Sequence, residues 1–135
     1  MPLLGKTPHE RAIIDQWCEV ESQNFNTAIS PMFREMYIAK LVQKRPVNEE
    51  LVAACLAKTA AVLDVYEKQL SMTTFIAGDS YSLADLFHVS ALKRLMDGKR
   101  DIFMGRQHVL AWAENLVVRP AVQKTLEVTV TLSSK

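Results

Sequence analysis

The sequence predicts an all-α fold, and three observations carry that reading. Chain breakers are scarce: there are 4 glycines and 5 prolines in 135 residues, about half of the ~12% that average usage would give. Apolar residues recur at steps of three and four along most of the chain, not in the alternation of a half-buried strand. Six of these nine breakers, Pro8, Pro31, Pro46, Gly78, Gly98 and Pro120, fall mostly where those periodic stretches start, bend or stop. Together they predict a bundle of five helices.

The first helix opens on Thr7-Pro8-His9-Glu10. Thr7 is an N-cap, proline suits the first helical position, and Glu10 completes a capping box. Ile13, Ile14, Trp17, Cys18, Val20 and Phe25 follow at helical spacing. Pro31 removes an amide donor and crowds the preceding turn, so a kink or break is expected there. Met32, Phe33, Met36, Tyr37 and Leu41 extend the stripe to Arg45-Pro46.

The second helix runs from about Asn48, its N-cap, to Leu70, with Glu49 and Glu50 at the positive end of the helix dipole. Val52, Cys55, Leu56, Thr59, Val62, Leu63, Tyr66 and Leu70 form its inward face, and Glu67 and Lys68 are assigned outward. Ala77-Gly78-Asp79 makes a turn.

Ser82-Leu83-Ala84-Asp85 then reads as a capping box with aspartate in place of the commoner glutamate. Tyr81 and Leu86 stand at hydrophobic-staple positions. This third helix should reach about Met96, with Leu83, Phe87, Ala91 and Leu95 buried. Asp97-Gly98-Lys99-Arg100 is a turn, and with Arg106 it forms a small basic patch assigned to solvent.

A fourth helix spans about Arg106 to Val118, with Val109, Trp112, Ala113 and Leu116 inward. Arg119-Pro120 can start a short fifth. Val128-Thr129-Val130-Thr131-Leu132 alternates, so residues 1–127 are read as the domain and 128–135 as an extended or frayed tail.

A chain of this length buries roughly 70% of its unfolded surface and needs no disulfide or metal to hold a core. A net charge of +1 disfavours a nucleic-acid binder. Cys18 and Cys55 lie in apolar periodic segments without metal or CxxC spacing, and read as reduced core thiols of a cytoplasmic protein. His9, His88 and His108 are far apart in sequence, so no metal site is expected. No signal peptide or membrane span is visible.

Ser82, Asp85 and His88 invite a nucleophile-triad reading. All three lie within two turns of one helix start, where such a relay is poorly aimed. Capping is assigned to Ser82 and Asp85, packing or a surface position to His88, and no catalytic residue is assigned. Trp17 and Trp112 are assigned to the core.

Four stretches, read together, resemble one family. Trp17-Cys18-Glu19-Val20-Glu21 with Phe25 resembles the start of the helical domain of glutathione transferases. Leu63-Asp64-Val65-Tyr66-Glu67 with Leu70 is similar to its next long helix. Phe75 to Leu86, containing Ala77-Gly78-Asp79 and Ser82-Leu83-Ala84-Asp85, resembles the turn and buried capping box before the family's central helix. Val109-Leu110-Ala111-Trp112 with Arg119-Pro120-Ala121 resembles the closing segment. The Leu-Asp-Val-Tyr-Glu run and His88 resemble the plant phi class. The likeness covers about Leu3 to Val128.

The resemblance implies the five-helix C-terminal domain of a glutathione S-transferase. It implies no catalytic residue, metal or cofactor in these residues. In that family a thioredoxin-like N-terminal half holds the co-substrate glutathione and, in phi-class members, carries the serine that stabilises its thiolate. No such half is legible in this sequence. The helical half builds the wall for an apolar electrophile, and the matching positions are Ile29, Met32, Phe33 and Met36 with Leu92 and Met96. Arg94 falls where phi-class relatives can carry an aromatic wall residue. The alternative is a non-catalytic ligand-binding or docking module. Either way the resemblance implies apolar small-molecule ligands. It also implies self-association, or a protein partner on the face normally covered by the thioredoxin-like half.

Overall fold

The computed structural model describes residues 2–133, with side chains for residues 2–128. Its helices are α1 (Pro8–Val20), α2 (Asn26–Tyr37), α3 (Glu49–Leu70), α4 (Leu83–Gly98), α5 (Gln107–Val117) and α6 (Pro120–Ser133). A π turn at Glu21–Phe25 joins α1 to α2, and a second at Ile38–Val42 extends α2. Residues 8–42 are therefore one helical run, and the all-α, five-rod reading holds.

The Thr7 box forms: Glu10 N–H donates to Thr7 Oγ1 at 3.1 Å, and Thr7 N–H donates back to Glu10 Oε2 at 3.3 Å. The helix does not break at Pro31. Ala28, Ile29 and Met32 are buried around it, and their packing of α2 along α3 holds the helix through the proline. The register changes instead at the π turns, where Asn26 N–H reaches Glu21 C=O and Gln43 N–H reaches Ile38 C=O. Lys44 then turns the chain with a left-handed φ of 47°.

Glu35 ties this end of the run to the start of α3. It takes the Arg45 guanidinium at 2.7 and 3.1 Å and the Asn48 N–H at 2.9 Å. The hydrogen bonds from Arg45 and Asn48 hold its carboxyl down to about 2. Asn48 caps α3 through the Leu51 N–H. The inward face of α3 is the expected one, with Val52, Cys55, Thr59, Leu63, Tyr66 and Leu70 buried.

The packed face of α4 is rotated from the expected stripe. Ala84, Asp85, His88, Val89, Leu92 and Leu95 are buried, while Phe87 is 47% exposed. The reason is that two polar side chains, Asp85 and His88, belong to the core and displace Phe87 to the opposite side. Tyr81 packs edge-on against Phe75 at 5.9 Å; Leu86, its staple partner by position, is exposed.

The basic patch is not merely solvated. Arg106 pairs with Asp64 at 2.8 Å and Arg100 with Glu114 at 2.7 Å. The last helix is longer than expected: α6 carries helical backbone to Ser133, through the segment read as an extended tail. Among the described residues no strand lies alongside to pair with it, so the backbone satisfies its own donors and acceptors as helix. Residues 134–135 lie outside the described residues.

Candidate functional site

α4 carries the structural centre of the molecule. Asp85 is fully buried, and four donors converge on its carboxylate. Ile76 N–H and Trp112 Nε1–H donate to Oδ1 at 3.0 and 2.8 Å. Ser82 N–H and Ser82 Oγ–H donate to Oδ2 at 2.9 and 3.3 Å. The capping box between Ser82 and Asp85 is present, and it also gathers the 75–78 turn and α5. Burial pushes the Asp85 carboxyl above its ordinary range, and the hydrogen bonds from Ile76, Trp112 and Ser82 oppose that rise. Leu83 N–H, another free amide of this helix start, donates to Leu3 C=O at 2.9 Å.

His88 is buried one turn further on. Its Nδ1 lies 2.6 Å from Ala84 C=O, so that nitrogen carries the proton. Nε2 then accepts from Tyr66 O–H at 2.9 Å. Burial lowers the imidazole to about 4, against the Ala84 hydrogen bond, and raises the Tyr66 hydroxyl. Phe25 and Trp112 lie against the imidazole with ring centroids 4.9 and 5.2 Å away. Both ring nitrogens are engaged and Asp85 is saturated, so Ser82, Asp85 and His88 form no relay. Burial also raises the Cys18 thiol, with Asp15 and Glu21 adding to the effect. Cys18 and Cys55 are both free.

An open cleft of about 400 Å³ lies between α2 and α4. Ile29, almost wholly buried, and Phe33 line it together with Tyr37, Ala91, Arg34 and Arg94. The Arg94 guanidinium sits 5.2 Å from the centroid of the Phe33 ring. Met32 and Leu92 do not line this cleft. Both are 0% exposed, because they fall on the core-facing sides of their helices. Met36 and Met96 are half-buried against the core cluster. Tyr37 and Ala91 line the cleft without being among the wall positions the sequence suggests, and fall one turn from Phe33 and one residue from Leu92. The spacing alone contained that signal.

The family model described as Glutathione S-transferase, C-terminal domain matches residues 25–120. The chain belongs to the glutathione S-transferase family. A glutathione S-transferase from Hyoscyamus muticus is 38% identical over 126 residues, covering 93% of this chain and 59% of that one. The crystal structure of glutathione transferase F7 from Populus trichocarpa superimposes with a TM-score of 0.86 at 36% identity, covering 93% of this chain and 59% of that one. Glutathione S-transferase I from Mais, solved with an atrazine glutathione conjugate, gives 0.82 at 35% identity, covering 90% and 58%. The chain thus spans less than two thirds of these relatives, and what it matches is the helical C-terminal domain of plant phi-class glutathione S-transferases.

Within this transferase domain, the described residues contain no group of three His, Cys, Asp or Glu able to hold a metal ion. No described helix is long and apolar enough to cross a membrane.

Proposed function

We propose that this domain supplies the wall of the co-substrate pocket in glutathione conjugation and is catalytically incomplete by itself. The observation that carries the reading is the α2–α4 cleft, in which Phe33, Tyr37 and Ala91 present apolar surface at an open site, while Ile29, also in its lining, is almost wholly buried. A cleft of this size, about 400 Å³, falls within the range of small-molecule sites. The Mais relative, whose structure holds an atrazine glutathione conjugate, supports an apolar electrophile as the ligand class. Glutathione and the group that activates its thiol are assigned to a thioredoxin-like half outside these residues. On this reading the protein is cytoplasmic and serves detoxification, and its free cysteines fit a reducing compartment.

The test joins this chain to the thioredoxin-like half of a phi-class relative and measures conjugation of a chromogenic aryl halide. Phe33→Ala should raise KM for the aryl halide and leave KM for glutathione unchanged. A change in the glutathione KM alone would place the wall elsewhere.

A non-catalytic docking role is the second reading. Tyr37, Leu41 and Val42 are 61%, 60% and 64% exposed in one stretch, and apolar surface of this kind seeks partners. On this reading the chain self-associates or captures a protein through a face that the thioredoxin-like half would cover. Light scattering of wild type beside Leu41→Glu tests it, with dissociation of the variant expected.

A further inference from the structure

We propose that a pocket beside the N-terminal segment binds a free α-amino acid with an apolar side chain. The pocket holds about 290 Å³ between the segment 2–6, the first turns of α1 and residues 77–82. It shares no lining residue with the α2–α4 cleft, so the proposal does not depend on the wall reading. Its volume lies at the small end of small-molecule sites, which suits one amino acid and not a larger conjugate. Backbone contacts hold its sides in place. Leu83 N–H donates to Leu3 C=O at 2.9 Å and Gly5 N–H to Pro2 C=O at 3.2 Å, which fastens the segment 2–6 to the start of α4. Gly5 has a left-handed φ of 80°, and a Cβ there would stand 2.8 Å from Glu10 Cβ. Glycine thus lets the segment lie close on α1.

The lining offers one charge of each sign beside apolar surface. Lys6 comes from the N-terminal segment and Asp79 from the 77–82 side. Among the described residues neither side chain has an ion pair or hydrogen bond. The third charged group of the lining, Glu10, is engaged: its Oε2 takes the Lys6 N–H at 2.6 Å and the Thr7 N–H at 3.3 Å. Ile13 and Ala77, both half-buried, supply the apolar surface. Tyr81 is a fixed aromatic wall, held by Phe75 at 5.9 Å and by the Arg119 guanidinium 3.6 Å from its ring centroid. An α-amino acid carries an ammonium, a carboxylate and a side chain on one carbon. Its ammonium matches Asp79, with the Ser80 hydroxyl as a further acceptor. Its carboxylate matches Lys6, and an apolar side chain covers Ile13 and Ala77. An amine alone leaves Lys6 without a counter-charge, and an acid alone leaves Asp79 without one.

The experiment is a titration of the isotope-labelled chain with L-leucine, with 3-methylbutylamine and with 4-methylpentanoate, followed by amide chemical shifts. Leucine should move the Ile13, Ala77 and Ser80 signals and bind at least about threefold more tightly than either singly charged analogue, as a solvent-accessible ion pair is worth. Asp79→Asn should weaken leucine and the amine and leave the acid within about twofold. Lys6→Gln should weaken leucine and the acid and leave the amine within about twofold. Both side chains are exposed, so signals away from the pocket should overlay those of the wild type. Equal affinities for the three ligands would overturn the proposal, as would a leucine preference that survives both substitutions, because the charges would then be read elsewhere. Failure of leucine to move the pocket signals would also overturn it, and would leave the reading of the α2–α4 cleft untouched.

Discussion

The Trp112 indole N–H donates to Asp85 Oδ1 at 2.8 Å, joining α5 to the first turn of α4 across 27 positions of sequence. The same oxygen takes the Ile76 N–H, so one atom fixes a turn, a helix start and a neighbouring helix. Asp85 is the point through which the bundle reports its own assembly.

Asp85→Ala leaves those donors buried without an acceptor. Each unpaired buried donor costs about 1–3 kcal/mol, so the loss should be about 3 kcal/mol or more, beyond an ordinary exposed cap. Urea unfolding measures it as a lower midpoint at unchanged slope. An unmoved midpoint would contradict the assignment.

Trp112→Phe keeps the ring and removes one donor. The expected loss is about 1–2 kcal/mol. Combined with Asp85→Ala, the two losses should fall short of additive by about 1 kcal/mol, because they share one hydrogen bond. Strict additivity would show that the bond carries no stability.

Glu67 caps α5 from α3. Its carboxylate accepts the His108 N–H at 3.1 Å and the Val109 N–H at 2.9 Å, with the His108 ring at 2.6 Å. Burial works against the charge, but those bonds outweigh it and hold the carboxyl below its ordinary range. A lowered folded-state value means stability present above the unfolded value and lost as pH falls through the folded one. Glu67→Ala should cost about 1–2 kcal/mol and speed hydrogen exchange at His108 and Val109 first. Uniform acceleration across the bundle would count against a local cap.

His88 makes a pH prediction of the same sign from the opposite kind of group. Its imidazole falls from 6.5 to about 4 on folding. Between those values the unfolded chain binds the proton and the folded chain does not, so stability falls as pH drops through that window. At roughly 1.4 kcal/mol per pH unit the loss is about 3 kcal/mol. Unfolding curves from pH 7 to pH 4 should show a slope that His88→Gln lacks. Parallel curves for the two chains would rule out a neutral buried imidazole.

Local signals along the chain made most of this legible. The Thr7–Glu10 box, the Asn48 cap and the Ser82–Asp85 box each lie within four residues, and each forms. The inward face of α3 followed from its spacing alone. The contacts that spacing does not encode are non-local. Glu67 meets α5 some 41 positions away, and an acidic residue beside Lys68 looked outward on its own helix. The expected α4 stripe runs through Phe87 on spacing, whereas His88 takes that core position with Tyr66 as a partner from another helix, and Asp85 draws Ile76 and Trp112 to the capping box. The π turns shift the register after Val20, which no spacing rule registers. The family resemblance matches Met32 and Leu92 to the ligand wall by their stretch of helix, which does not distinguish a core-facing position from a cleft-facing one a turn away.

The central claim is that this domain provides the pocket wall and not the machinery that activates glutathione. Its most direct test is the chain alone, incubated with glutathione and a chromogenic aryl halide and followed for conjugate against buffer. The account predicts a rate indistinguishable from buffer and no retention on immobilised glutathione. Turnover by the chain alone, abolished by a substitution within it, would contradict it.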